Sequence, residues 1–389
     1  MTMEYRLDEL FDLQMGKTPS RNNPVYWNSK DHKWISIGDL SKCGKYIYET
    51  KEYLSDAAVQ ESGISIIPAN TVIMSFKLSI GKTAITTEPM YSNEAIMSFR
   101  DLHTEDLLPD YVYYLLSSKD WDVGTNKAVM GKTLNKATLS QVRISVHPIF
   151  EQTKIVQILD GVRTIIEARK RELQALDNLI KARFVEMFGT YPLNEKDWEI
   201  GTIRDLVTEV RYGSSRKAAD GNTGKYPYLR MNNITYGGEL DLTDTKTIDI
   251  PDEELEKCMV RRGDLLFNRT NSKELVGKTC VYNRDERMVL AGFVVRVRLN
   301  DRALPEFVSA FLNTDFSKRM LLNMCKTAIG QANINAQELQ NIGIYIPPIT
   351  LQKEYVSFKT QVDKSKAAVQ KALDEAQLLF DSLMQQYFG

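Results

Sequence analysis

Apolar residues fall along the chain in two rhythms. Short runs at 64–67, 72–76 and 293–297, bounded by Gly, Pro and Asn, predict strands. Segments 109–117 and 305–312 each open on a proline and continue with apolar residues at helical spacing, which predicts helices. From 151 to 188 the rhythm lengthens. Ile155, Ile158, Leu159, Val162, Ile165, Ile166, Leu173, Leu176, Leu179, Ile180 and Phe184 recur at three- and four-residue steps, with no proline and a single early glycine, Gly161. Segment 352–388 does the same with Phe358, Val362, Val369, Leu373, Ala376, Phe380, Leu383 and Tyr387, and holds neither Gly nor Pro. A helix of about 37 residues is roughly 55 Å long, more than the domain before it can cover, so its apolar stripe needs a partner along its length. The expected partner is the other copy, lying antiparallel as a coiled coil. The alternative is that each helix folds back on its own domain.

The chain is written twice. Asn135, Leu139, Pro148 and Gln152 reappear as Asn335, Leu339, Pro348 and Gln352, a shift of 200 residues. Upstream, Leu108-Pro109-Asp110-Tyr111-Val112 answers Leu304-Pro305-Glu306-Phe307-Val308, Trp34-Ile35 answers Tyr228-Leu229, and Gly81-Lys82-Thr83 answers Gly277-Lys278-Thr279. Each half is therefore a mixed α+β unit followed by a long helix.

Composition changes this picture little. Lys+Arg 50 against Asp+Glu 51 leaves a formal charge of -1, so any attraction to nucleic acid must come from a local patch. Three scattered histidines, His32, His103 and His147, and four unclustered cysteines, Cys43, Cys258, Cys280 and Cys325, suggest neither a metal site nor a disulfide framework. No apolar stretch approaches the ~20 residues of a membrane span and the first residues do not read as a signal peptide, so a soluble cytoplasmic protein is expected.

Candidate catalytic motifs fail on inspection. Gly-Lys-Thr occurs at Gly81, Gly131 and Gly277, but a phosphate loop needs a glycine five residues earlier, where Phe76, Asn126 and Ser272 stand. These triplets read better as turns presenting a lysine. Asn23-Pro24-Val25-Tyr26 resembles the adenine-clamping element of amino-methyltransferases but lacks its second proline, and there is no Gly-rich turn for a methyl donor. It reads as a polar turn. Pro109-Asp110 and Pro251-Asp252 have no downstream nuclease partner.

What remains is a set of basic, amide-rich loops, the side chains that bind phosphate and read base edges. In the second half these are Arg211, Tyr212, Ser214, Arg216 and Lys217, then Arg230, Asn232 and Asn233, then Arg262, Arg269, Thr270, Asn271, Lys273 and Lys278. Between 260 and 300, nine basic residues against four acidic ones give +5. The first half offers Lys17, Ser20, Arg21, Asn22, Lys77 and Lys82, with Ser36, Asp39 and Ser75 at matching positions. A solvated charged face explains any single cluster; recurrence in both halves favours DNA.

These features resemble the specificity subunit of type I restriction-modification systems. The likeness rests on the order of domain, helix, domain, helix, on the strand entries Ile67-Pro68-Ala69-Asn70-Thr71-Val72-Ile73 and Val260-Arg261-Arg262-Gly263-Asp264-Leu265-Leu266, and on the junctions His147-Pro148-Ile149-Phe150-Glu151-Gln152 and Pro347-Pro348-Ile349-Thr350-Leu351-Gln352. The first half has Asn70-Thr71 where the family has Gly-Asp, and His147 where it has a first proline. The resemblance implies target-recognition domains at 1–150 and 190–350, spacer helices at 151–189 and 351–389, and a split duplex DNA target with an unread gap. It also implies two modification subunits and restriction subunits as partners, carrying S-adenosylmethionine, ATP and Mg, with no cofactor in this chain. A methyltransferase or nuclease in its own right, and a protein-binding scaffold, are the readings from other classes.

Overall fold

A computed structural model describes residues 2–77, 79–121, 134–328 and 331–389. Two compact units result, Met1–Lys170 with Lys371–Gly389, and Arg171–Gln370. In the first, strands pair in the order Phe11–Met15, Ile96–Asp101, Val72–Ser75, Thr83–Thr86 and Tyr46–Ile47, and a smaller sheet joins Glu52–Leu54, His32–Ile35 and Tyr91–Ser92. Alternate residues of Val72–Ser75 point to opposite faces. Val72 and Met74 enter the core with Tyr111, Leu115 and Leu116 of the helix Pro109–Ser118, while Ile73 packs with Ile35, Ile47 and Ile67. A strand covered on both faces must be apolar throughout, which is why it appears in the sequence as an unbroken run.

The second unit repeats the plan. Val207–Tyr212, Val294–Leu299, Leu265–Asn268 and Thr279–Val281 form one four-stranded sheet; Lys246–Ile248, Tyr226–Leu229, Met288–Leu290 and Met259–Val260 form another. The aligned pairs Trp34-Ile35 and Tyr228-Leu229 take the same place: each lies parallel to a neighbouring strand, Trp34 against Tyr91 and Tyr228 against Val289. Asn70 and Gly263 also coincide, both with positive φ, 57° and 90°. Asn is among the few residues other than Gly that take this conformation readily, so the missing Gly-Asp of the first half does not disturb the turn. One expected strand fails: in 64–67 only Ile67 bridges to a neighbour, Met90. Pro68 follows it and has no N–H with which to extend a ladder.

The long helices are Ile149–Phe188 and Ile349–Phe388, 40 residues each, starting two residues before the expected 151 and 351. Gln152 and Gln352, both buried, explain the shared junction. Gln152 accepts from Leu108 N–H at 3.0 Å and donates to the Asp106 and His147 carbonyls at 2.9 and 2.9 Å. Gln352 accepts from Leu304 N–H at 2.8 Å and donates to the Arg302 and Pro347 carbonyls at 3.0 and 2.8 Å. One amide thus ties the start of each long helix to the loop that opens the preceding proline-led helix.

Within the first unit, Val162 and Ile166 of one long helix pack on Ala376 of the other, flanked by Leu373, Phe380 and Leu383. Within the second, Phe184 and Phe188 lie 5.3 and 5.6 Å from the ring of Tyr355, and Lys366 pairs with Asp177 at 2.7 Å. In both units an earlier part of one helix meets a later part of the other, the contacts of an antiparallel pair. Arg183 lies 5.6 Å from the Phe358 ring. No described helix is long and apolar enough to cross a membrane.

Candidate nucleic-acid interface

The basic loops begin where the chain squeezes past a neighbouring strand. A Cβ added to Gly16 would meet the Asn93 and Ser92 carbonyl oxygens at 2.3 Å, and one added to Gly213 would meet those of Ala291 and Leu290 at 2.3 Å, so both positions require glycine. The backbone bonds also repeat. Gly16 and Lys17 donate to the Ile96 and Ser92 carbonyls at 3.1 and 2.8 Å; Gly213 and Ser214 donate to those of Val294 and Leu290 at 3.3 and 2.7 Å. An aromatic side chain from the neighbouring sheet then holds each loop. Trp34 Nε1 donates to the Lys17 carbonyl at 3.1 Å, and Tyr228 Oη reaches the Ser214 and Arg216 carbonyls at 3.1 and 2.9 Å.

In the first unit the loop exposes Lys17, Ser20, Arg21 and Asn22. Lys17 donates to the Ser62 carbonyl, and Trp27 Nε1 donates to that of Ser20 at 3.1 Å. The Arg21 guanidinium lies 3.8 Å from the Trp27 ring and 4.8 Å from that of Trp34, and pairs with Glu52. Lys77 sits 5.3 Å from the Phe76 ring, and Lys82 is exposed. Ser36 and Asp39 are occupied in capping the turn Ile37–Leu40, and buried Ser75 accepts from Lys82 N–H at 3.0 Å. Asn23 likewise caps the turn Pro24–Tyr26, accepting from Val25 N–H at 3.2 Å.

In the second unit Arg211 pairs with Glu209 at 3.0 Å, Arg216 with Glu254 at 2.6 Å, Arg230 with Asp244 at 2.9 Å and Arg262 with Asp285 at 2.7 Å, while Lys217, Asn232 and Lys273 are exposed. Tyr212, 45% exposed, accepts from Ala336 N–H at 3.1 Å and carries the Arg269 guanidinium 5.0 Å from its ring. Arg269 donates to Asn333 Oδ1 at 3.4 Å, and Asn333 in turn donates to the Thr270 hydroxyl at 3.3 Å. Asn271 donates to Asn268 Oδ1 at 2.8 Å.

Four of the candidates are interior, not exposed as their place in basic loops led one to expect. Ser214 accepts from Arg216 N–H at 3.2 Å, Asn233 donates to the Asp241 carbonyl at 2.9 Å, and Thr270 is buried beneath Asn333. Lys278, 6% exposed, donates to the Met231 carbonyl at 2.8 Å, and burial lowers its pKa. The two Gly-Lys-Thr turns are otherwise alike, with Gly81 and Gly277 at φ 86° and 82° and each Thr hydroxyl donating to its glycine carbonyl at 3.0 Å. The Gly131 triplet lies outside the described residues. Nor is all of the +5 of 260–300 surface charge. Arg296, 2% exposed, pairs with Glu209 at 3.0 Å, and Arg298 pairs with Asp264 and Glu209 at 2.8 and 2.7 Å. Burial pushes Arg296 below the usual arginine range.

The sequence reading missed Trp27, Asn333 and the role of Trp34 and Tyr228. The signal was present for the last two, since they align, but alignment does not reveal that both are donors. Among the described residues no group of three or more His, Cys, Asp or Glu converges as a metal site.

Residues 2–178 and 195–377 match the family model of the type I restriction modification DNA specificity domain. The chain is 23% identical over 267 residues to the specificity subunit of the type I restriction enzyme EcoKI of Escherichia coli strain K12, a match covering 65% of this chain and 57% of that relative. It is 21% identical over 397 residues to the StySPI specificity subunit of Salmonella potsdam, covering 96% of this chain and 84% of the other. In fold it is similar to the type I restriction-modification S subunit of M. genitalium, with TM-score 0.54 and 14% identity over 100% of this chain and 96% of that one. The stretch shared with the EcoKI subunit is thus little more than half of that relative's length.

Proposed function

Because the chain belongs to the type I restriction modification DNA specificity domain family, we propose that it is the non-catalytic DNA-reading subunit of a type I restriction-modification complex. Each unit reads one half of a split duplex target through its basic loops, and the paired helices set the unread gap. The observation that carries this reading is the repetition, in two diverged halves, of the same tight glycine, the same strand contacts and the same aromatic hold on a loop bearing Lys, Arg or Asn.

Exposed Lys17, Lys82, Lys217 and Lys273 are suited to phosphate, as point charges whose binding releases counterions. Planar groups offer the bidentate geometry that distinguishes guanine from adenine edges: Arg21, Arg230 and Arg269 as guanidinium forks, Asn22, Asn232 and Asn271 as amides. Arg21 and Arg269 are already fixed against aromatic rings, which reduces the entropy lost on contact. Methyl transfer, translocation and cleavage belong to the partners: two modification subunits with S-adenosylmethionine, and restriction subunits with ATP and Mg.

Selection from a randomised duplex library by this chain assembled with its modification subunits tests the proposal. Enrichment of two different short half-sites at a fixed separation supports it, whereas a single contiguous motif, or no enrichment, rejects it. Methyl transfer, DNA cleavage or ATP hydrolysis by a homogeneous preparation of the chain alone would also reject it.

A further inference from the structure

We infer that Tyr228 and Trp34 are positioning residues for the two reading loops, so that base preference in each half of the target depends on one aromatic donor in the adjoining sheet. The inference rests on the proposed reading of DNA by these loops and identifies what sets their shape. Lys17 and Ser214 occupy the same place, each following a glycine with no room for a Cβ and each donating its N–H to the neighbouring strand, at Ser92 and Leu290. In the first unit an indole N–H reaches the Lys17 carbonyl at 3.1 Å; in the second a phenol hydroxyl reaches the Ser214 and Arg216 carbonyls at 3.1 and 2.9 Å. The two side chains differ in size and ring system, yet both supply a donor at the same position.

A space-filling role alone would be met by phenylalanine, because Trp34 and Tyr228 are both buried and their rings are already packed. The hydroxyl of Tyr228 has one proton to share between two carbonyls. Ser214 O has a second donor in Gly292 N–H at 2.7 Å, whereas the Arg216 carbonyl, immediately before Lys217, is held by the tyrosine. Losing the hydroxyl therefore frees the part of the loop that bears Arg216 and Lys217. A loop that must discriminate bases needs its side chains held within a fraction of an ångström, and this bond is placed to do that.

The test uses Tyr228→Phe and Trp34→Phe, each assembled with the modification subunits and put through the randomised-duplex selection, with thermal unfolding and salt dependence measured alongside. Tyr228→Phe is expected to reduce the preference for the favoured base by about tenfold at positions of one half-site, leaving the other half-site, the salt slope and the unfolding midpoint near wild type. Trp34→Phe is expected to do the same to the opposite half-site, and decides the matter should Tyr228→Phe fail to fold. Folded variants that keep both half-sites intact, or that weaken both equally, overturn the inference. A wild-type assembly that enriches no motif removes the proposed function and this inference with it, while an unchanged motif in the variants removes the inference alone.

Discussion

Lys217 stands exposed beside Arg216 in a loop proposed to read DNA, whereas Lys278 lies buried with its ammonium on the Met231 carbonyl. Both looked like phosphate contacts in the sequence, and burial separates them. Replacing Lys217 by Ala should lower the slope of log affinity against log salt by about 0.9, the release expected for one neutralised phosphate, and Lys278→Met should leave that slope unchanged. Titration of binding by the assembled methyltransferase between low and physiological salt checks both; a slope that falls for Lys278→Met would contradict its burial. Lys318 lends itself to a different measurement. Its ammonium lies 4.7 Å from the Tyr236 ring with no hydrogen-bond acceptor among the described residues, and burial, then the charges of Lys278 and Lys181, push its pKa down to about 8. The unfolded chain keeps this proton up to the ordinary lysine range near 10.5. Between about pH 8 and that range the unfolded state binds more protons, so the folded state gains stability as pH rises. The stability of wild type relative to Lys318→Met, followed by urea unfolding, should accordingly increase across this window; a flat difference would show that Lys318 titrates normally.

At the scale of elements, the long helices and proline-led helices were legible because period and punctuation are local. Their starts were displaced by two residues because the buried amides of Gln152 and Gln352, and not the first apolar residue, fasten them. The expected strand at 64–67 was lost to Pro68, and the charge sum over 260–300 overstates the surface charge because Arg296 and Arg298 serve Glu209 and Asp264 inside the unit. Sequence composition counts charges without knowing which face inward. The helix pair itself makes a prediction. Four residues inserted near Ala175 in one helix and four near Lys366, which faces Asp177, in the other add about 6 Å. They also turn each helix by a little more than one full turn, so the seam is nearly kept. The unread gap should lengthen by one or two base pairs, at about 3.4 Å each, with both half-sites unchanged. A folded variant that still selects the original gap would show that the helices do not set the spacing.

For the whole molecule, the duplication was visible in a few aligned residues, and the structure extends it to sheet order, glycine placement and the hold on each loop. Which loop residues face outward was not legible, since Ser214, Asn233, Thr270 and Lys278 share composition with their exposed neighbours and differ only in tertiary contacts. On the proposed function, two diverged copies of one unit read two different half-sites in one target, and other subunits modify it. The most direct measurement is the pattern of methylated adenines across a genome, sequenced in cells that carry the modification subunits with and without this chain. The expected result is methylation at a split motif, two unlike half-sites around a fixed unread gap, that disappears when the chain is absent. Methylation that is independent of the chain, or that follows one uninterrupted motif, would contradict it.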